Sequence, residues 1–427
     1  MTRKNKLVIP VLVAVVATAA VIVLGLNLAA GERKINHRIA HLYKIDDPQF
    51  VRSMGNLLGP PLAAGNRVTE LLNGDEIFPS MLEAIRGAKR TITFETYIYW
   101  SGTIGQQFAD ALSERSAAGV KVHVLVDWVG SGKMDQATLN QMEKAGIEVE
   151  RYHPLRWYTL TRLNHRTHRK LLVVDGRIGF TGGVGIGDVW LGHAQDENHW
   201  RDSHYRLEGP AVSHMQAAFL DNWLKTQAEV LHGEDYFPPL TPAGEALAQV
   251  FRSSSREGSE SVRMMYLLSI AAATRSILLS VAYFVPDDLS VEMIVDARKR
   301  GVRVEIIVPG PITDAEMVKW ASKSRWGDLL EAGVEIWEYQ PTMYHVKVMI
   351  VDGMWVSVGS TNFDNRSFRL NDEANLNVLD RAFAERLTKT FEADKALSRR
   401  VTYEAWRQRP WREKFLEHTV GLFHSQI

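Results

Sequence analysis

Two short runs of this sequence carry the residue types that phosphoryl chemistry needs. One reads His168-Arg-Lys170-Leu-Leu-Val-Val-Asp175, and the other reads His345-Val-Lys347-Val-Met-Ile-Val-Asp352. Each opens on an imidazole, has an ammonium two residues on, and ends an apolar run with a carboxylate. In an extended strand, residues two apart face the same side, so the His and Lys of each copy can point into one cleft. One imidazole can attack phosphorus, a second can protonate the leaving oxygen, and two ammoniums can hold the phosphate charge. Neither copy supplies that set alone, but two facing copies do.

The residues just beyond each copy are similar but not the same. A glycine stands seven residues after the Asp in both, at Gly182 and Gly359. Gly359 leads into Ser360 and Asn362, where the first copy has Gly183 and Gly185. A hydroxyl and an amide can donate to phosphate oxygens, whereas glycine offers only its backbone N–H. Ser360 and Asn362 are therefore expected to bind phosphate, and the site to be chemically uneven. Glu373 follows His345 by 28 residues, and Asp202 stands at the parallel place after His168. Each carboxylate can accept the second ring N–H of a site histidine, which fixes its tautomer and stabilises its charged form. Asp175 and Asp352 sit at strand ends before glycine turns. They read as fold-holding groups, with backbone amides or the opposite lobe as partners.

The elements that must hold these residues alternate between strand and helix. Residues 91–98, 120–126 and 147–150 read as strands, and residues 77–87, 105–118 and 135–145 as helices, which indicates an α/β body. Glu95 lies in the first of these strands, either facing the cleft or solvated. A helix at 211–225 closes this half, and a long helix is expected from Asp380 to about Arg399. The same phrases recur later in the chain. Residues 145–154 match 332–341, residues 119–126 match 301–308, and residues 91–99 match 276–284, at offsets of 187, 182 and 185. The two His-Lys motifs are offset by 177. Such duplicated lobes pack naturally about an approximate two-fold axis, which brings both motifs to one cleft.

Bulk composition narrows the function. The 427 residues suit a large duplicated body. Acidic and basic residues balance at 50 each, so no basic surplus marks a nucleic-acid binder. Cysteine is absent, which excludes disulfides, thiol chemistry and Cys-ligated metals. Residues 7–30 carry no charge; a helix of that length is about 36 Å long, enough for a hydrocarbon core of about 30 Å. A retained transmembrane anchor is the expectation here, over a cleaved signal peptide ending near Leu28-Ala29-Ala30. Arg3, Lys4 and Lys6 before it lean toward a cytoplasmic N-terminus and a body outside the cytoplasm. The loop 152–166, with Arg156, Trp157, Tyr158, Arg162, His165 and Arg166, reads as an entrance for a lipid headgroup or as a plain linker. The tail, with Trp406, Arg407, Arg409, Trp411, Arg412, Lys414 and Phe415, suits a membrane-surface helix or one packed on the body.

These residues resemble the phospholipase D superfamily, whose signature is H-x-K-x4-D-x6-G-S-x-N. The second motif carries it complete at His345, Lys347, Asp352, Gly359, Ser360 and Asn362, while the first departs at Gly183 and Gly185. The phrases Phe180-Thr-Gly-Gly183, Trp200-Arg-Asp-Ser-His204, Asn362-Phe-Asp-Asn-Arg-Ser367 and Leu370-Asn-Asp-Glu-Ala-Asn375 resemble the bacterial cardiolipin synthase type. The resemblance implies an α/β fold of two homologous phospholipase D-like lobes, each a mixed β-sheet flanked by helices, with the transmembrane helix in front. The expected division is 1–31 anchor, 32–66 linker, 67–235 first lobe, 236–250 inter-lobe linker, 251–399 second lobe and 400–427 tail. It further implies phosphatidyl transfer through a phosphohistidine on His168, with a phospholipid substrate, the bilayer as partner, and no metal, cofactor or nucleic acid. The place it implies is the bacterial inner membrane, crossed once. A phospholipase D hydrolase, a nucleic-acid phosphodiesterase and an inactive membrane scaffold stay open as alternatives.

Overall fold

The computed structural model describes residues 5–28, 35–154, 164–254 and 260–421. Helix α1 (Asn5–Leu28) is followed by α2 (Pro48–Leu58), which starts where the Asp47 carboxylate accepts the Gln49 N–H and Pro48 presets the first turn. The first lobe opens with β1 (Ala63–Leu72) and α3 (Asn73–Gly87). It continues through β2 (Thr91–Thr96), α4 (Thr103–Ala117), β3 (Lys121–Asp127), α5 (Gln136–Lys144) and β4 (Glu148–Tyr152). Short β5 (Arg166–Thr167) leads into β6 (Leu171–Val174), β7 (Ile178–Gly182) and β8 (Ser203–Glu208), and α6 (Val212–Gln227) closes the lobe.

The second lobe repeats the plan. It runs through β9 (Ala246–Ser253), α7 (Ser261–Ala272), β10 (Ser276–Val281), β11 (Phe284–Val285), α8 (Asp288–Lys299) and β12 (Arg303–Pro309). Helices α9 (Glu316–Ser324) and α10 (Gly327–Glu331) precede β13 (Glu335–Tyr339), β14 (Lys347–Val351) and β15 (Trp355–Gly359). Then come β16 (Phe363–Asp364), α11 (Asn365–Arg369), β17 (Asn371–Leu379) and α12 (Arg381–Ala396). An edge strand β18 (Ser398–Val401) and helices α13 (Tyr403–Arg407) and α14 (Trp411–Gly421) end the described chain.

One mixed sheet runs through both lobes in the order β18-β13-β12-β10-β14-β15-β17-β9-β1-β8-β7-β6-β2-β3-β4. Read outward from the antiparallel β1–β9 pair, the two halves match strand for strand, apart from the added edge strand β18. In each half the three outer strands of the repeat are parallel and the inner ones antiparallel. Helices cover both faces, which explains why β2 and β14 are buried along their whole length. Phe219 and Trp223 of α6 and Phe383, Leu387 and Phe391 of α12 belong to a single core shared by both lobes.

Each motif strand turns back through an Asp-Gly pair. Asp175 (φ 53°) and Gly176 (φ 62°) are both left-handed, and the Arg177 N–H closes the turn on the Val174 carbonyl at 2.9 Å. Asp352 (φ 54°) and Gly353 (φ 60°) repeat it. This is the type I′ geometry that matches strand twist. The carboxylates hold the fold: Asp175 accepts the backbone N–H groups of Lys89, Arg90 and Thr91, and Asp352 those of Thr274, Arg275 and Ser276. All of these partners lie at the start of the neighbouring strand in the same lobe.

The expected membrane crossing needs correction. A helix does form at α1, but among the described residues no helix is long and apolar enough to cross a membrane. The transmembrane anchor and the single-pass placement in the inner membrane, with the body outside the cytoplasm, are withdrawn with it. Ala29 and Ala30, and the loop residues Arg156, Trp157, Tyr158 and Arg162, lie outside the described residues. The tail folds back on the body at its start. The Trp406 indole donates to the Lys323 carbonyl at 2.9 Å and Arg409 sits 3.9 Å over its ring, while Trp411 and Phe415 face outward.

Candidate active site

The fold stitches each motif to the opposite lobe. Strand β5 pairs in parallel with β17, and the His168 N–H donates to the Asp372 carbonyl at 2.9 Å. In the other half Arg201 bridges to Tyr344, and the His345 N–H donates to the Arg201 carbonyl at 2.8 Å. The residue after each of those carbonyls carries the carboxylate that meets the ring. His168 Nδ1 lies 3.0 Å from both oxygens of Glu373, and His345 Nδ1 lies 2.7 Å from Asp202 Oδ2. The carboxylates are thus exchanged between lobes. Asp202 of the first lobe holds the histidine of the second, and Glu373 of the second holds that of the first.

Both imidazoles and Lys170 line one cleft of about 220 Å³. Aromatic rings of Tyr97, Trp190, Trp200 and Tyr283 and polar groups of Arg166, Arg366, Asn362 and Asn371 line it as well. Because a carboxylate occupies each Nδ1, the lone pair of each Nε2 is left for the cleft. Lys170 Nζ donates to the His168 carbonyl at 2.9 Å, and Lys347 Nζ to the His345 carbonyl at 2.7 Å. Each ammonium thereby spends one N–H on its own motif and keeps two. Asn362 reaches the cleft, and its Oδ1 has no hydrogen-bond partner among the described residues.

Ser360 stands elsewhere than the cleft wall. Its hydroxyl donates to Glu373 Oε2 at 2.5 Å and accepts the Ala374 N–H at 3.1 Å, so it backs the acid rather than facing phosphate. In the first lobe Gly183 takes its place, and a Cβ there would lie 2.1 Å from Asp202 Oδ1. The Asp202 carboxylate fills the room a serine would need. Gly182 and Gly359 share φ 156°, and a Cβ on either would strike backbone of the strand beside it. Glu95 is fully buried rather than solvated and accepts from Thr167 and Asn222.

Burial sets the charge states. It pushes His168 down to about 4, with the ammoniums of Lys170 and Lys347 adding to the effect against Glu373. Burial and Lys347 likewise lower His345. Burial brings Lys170 down to about 7 and Lys347 to about 8. Burial works the other way on Asp202 and Glu373, but the facing histidines and lysines outweigh it and keep both below their ordinary values. Two ionised acids therefore hold two neutral imidazoles. Among the described residues no group of three or more His, Asp or Glu side chains is placed to hold a metal ion.

Several lining residues were not singled out from sequence: Tyr97, Trp190, Tyr283, Asp314, Asp364, Arg366 and Asn371. Most belong to connections whose path only the assembled lobes define. The departure at Gly183 points toward Trp190 only once the structure shows Ser360 donating to Glu373 in the other lobe.

Two sister lobes that each lend a histidine to one cleft, with a buried lysine two residues further along each motif, define a duplicated phosphodiester-cleaving or phosphatidyl-transferring enzyme. A family model described as "Cardiolipin synthase, PLD-like domain" matches residues 81–223 and 266–395, one stretch in each lobe. A cardiolipin synthase of Geobacillus kaustophilus is 35% identical over 365 residues, covering 85% of this chain and 72% of that protein. The major cardiolipin synthase ClsA of Bacillus subtilis is 37% identical over 350 residues, covering 81% and 72%. In three dimensions, a phosphatidylserine synthase from Haemophilus influenzae superposes with a TM-score of 0.68 over 89% of this chain and 100% of its own; at 16% identity this speaks for the fold alone. The chain belongs to the cardiolipin synthase family of the phospholipase D superfamily.

Proposed function

We propose that this enzyme is a phosphatidyltransferase that makes cardiolipin from two phosphatidylglycerol-type lipids and releases glycerol. The observation that carries the reading is that both motif imidazoles open on one cleft, each held through Nδ1 by the other lobe's carboxylate. Relatives named cardiolipin synthase, over most of the chain, supply the choice of lipid.

In this reading His168 Nε2 attacks the donor phosphorus, and the bond to the glycerol headgroup oxygen breaks. His345, charged to the imidazolium beside Asp202 once the anionic phosphodiester sits in the cleft, gives its Nε2 proton to that oxygen. Neutral His345 then takes the proton of an acceptor headgroup hydroxyl, whose oxygen displaces His168 from phosphorus. The low value of His168 suits the nucleophile, which must be neutral to attack. Lys170, Lys347 and Asn362 hold the non-bridging oxygens. Asp202 and Glu373 orient the rings, and Ser360 supports Glu373 rather than touching phosphate. Arg166 and Arg366 add positive charge to the wall where an anionic lipid would lie.

Purified protein given phosphatidylglycerol, with products resolved by mass, tests this. Cardiolipin and glycerol are expected in equal amounts. Phosphatidic acid as the sole lipid product would make the enzyme a hydrolase, and cleavage of nucleic acid with no lipid turnover would refute the lipid reading altogether.

A further inference from the structure

The two halves of the site support their acids by different means. Glu373 receives the Ser360 hydroxyl. Asp202 has no room for a serine beside it, because a Cβ at Gly183 would sit 2.1 Å from its Oδ1. It receives the Trp190 indole N–H at 3.0 Å instead, on Oδ2, the oxygen that also meets His345 Nδ1. The Trp190 ring stands 5.6 Å from the His345 ring, edge to face, and lines the cleft. Trp200 packs against both rings, 4.8 Å from Trp190 and 5.4 Å from His345.

We propose that Trp190 is a positioning residue for His345, supplying to Asp202 the hydrogen bond that Ser360 supplies to Glu373. The indole N–H can only donate, so it orients Asp202 as an acceptor and never competes for the imidazole proton. The proposal rests on the reading of His345 as general acid and base. Lys347, Asp314 and Tyr283, whose hydroxyl donates to Asp314, also face His345, and none of them touches Trp190 by a hydrogen bond among the described residues.

The test uses the full chain with two substrates, phosphatidylglycerol and the p-nitrophenyl ester of phosphatidic acid, whose phenolate leaves without an acid. Trp190→Phe keeps a ring and removes the donor. Its kcat on phosphatidylglycerol is expected to fall roughly 10- to 100-fold, the usual cost of removing a group that orients an active-site ligand. KM should change little. Without the indole the carboxylate binds protons more tightly and favours imidazolium, so the acid limb of kcat moves to higher pH. The p-nitrophenol burst, which needs only His168, should keep its wild-type amplitude. A wild-type kcat and pH profile would overturn the proposal, and so would loss of the burst in parallel with kcat in a folded variant. If Trp190→Phe lacks a thermal transition, the benzothienyl analogue of tryptophan at 190, which keeps the ring shape and puts sulfur in place of N–H, is measured in the same way. His345→Gln separates the two levels. If it turns over phosphatidylglycerol normally, the reading of the site fails. If it is inactive while the Trp190 variants match wild type, the positioning role alone fails.

Discussion

Burial makes the lysines of this site expensive to charge and effective once charged. Folded Lys170 loses its proton at about 7, while an unfolded chain keeps it to the ordinary 10.5. Below the folded value the native state must carry a buried cation, and stability is recovered as pH rises from about 7 toward 10.5, where only the unfolded chain binds the proton. Lys170→Met should therefore be more stable than wild type at about pH 6, by about 1–4 kcal/mol, the range seen when buried ions give way to apolar groups. It should also be unable to turn over phospholipid. Urea unfolding and product formation on the same preparation check both halves; equal or lower stability would show that the ammonium is better solvated than its burial suggests. Gly183 tests geometry rather than charge. In Gly183→Ala the new Cβ must displace the Asp202 carboxylate from His345, and kcat should drop roughly 10- to 100-fold as other ligand-orienting losses do. A wild-type rate would mean that Asp202 can shift without consequence.

Elements hold these residues through devices outside the cleft. The Asp352 carboxylate collects the Thr274, Arg275 and Ser276 N–H groups and the Thr274 hydroxyl, and its own backbone is left-handed. Asp352→Ala abandons those donors at the start of β10 and places alanine where Cβ is strained. A loss of about 3 kcal/mol is expected from charge-assisted bonds of this kind. Asp352→Asn, which tolerates the turn, should lose less. Activity per folded molecule should stay unchanged in both, as thermal denaturation beside an assay would show. Much of this layer was legible in the sequence. The strand at 120–126 is β3 within a residue, the helix at 77–87 lies within α3, and the duplication fixed which strands correspond. These runs are governed by local pattern: unbroken apolar stretches, Asp caps, Asp-Gly turns. The features that sequence reading left unresolved depend on partners distant along the chain. That Asp202 would serve His345 and Glu373 would serve His168 comes from the β5–β17 pairing and the Arg201–Tyr344 bridge, and nothing local to either carboxylate encodes it. A hydroxyl at 360 suits phosphate because hydroxyls donate; the Glu373 carboxylate, 2.5 Å away, takes that donor first. Composition alone makes the uncharged stretch at 7–30 a crossing helix, and no described helix meets that requirement.

At the scale of the molecule, the exchange of carboxylates makes the lobes interdependent, since neither histidine has its acid within its own lobe. The join is reinforced by Arg201, which is buried, forms a two-point pair with Asp394 of α12 at 2.9 and 3.0 Å, and donates to the Asp202 carbonyl at 2.6 Å. Tyr344, the neighbour of His345, donates to the same Asp394 at 3.0 Å. One second-lobe carboxylate therefore fixes both the strand that carries Asp202 and the residue beside His345. Asp394→Ala leaves the Arg201 cation buried without its partner, and a loss of about 3–5 kcal/mol is expected for such a broken buried pair. The damage should also be one-sided in function. His345 and Asp202 lose their anchorage, whereas His168, Glu373 and Ser360 keep every bond described for them. At a temperature where the variant is folded, a first-turnover phosphohistidine on His168 should still form from the p-nitrophenyl ester, while steady transfer from phosphatidylglycerol falls. Equal loss of both would mean that Asp394 holds the lobes together as a whole rather than the His345 half of the site.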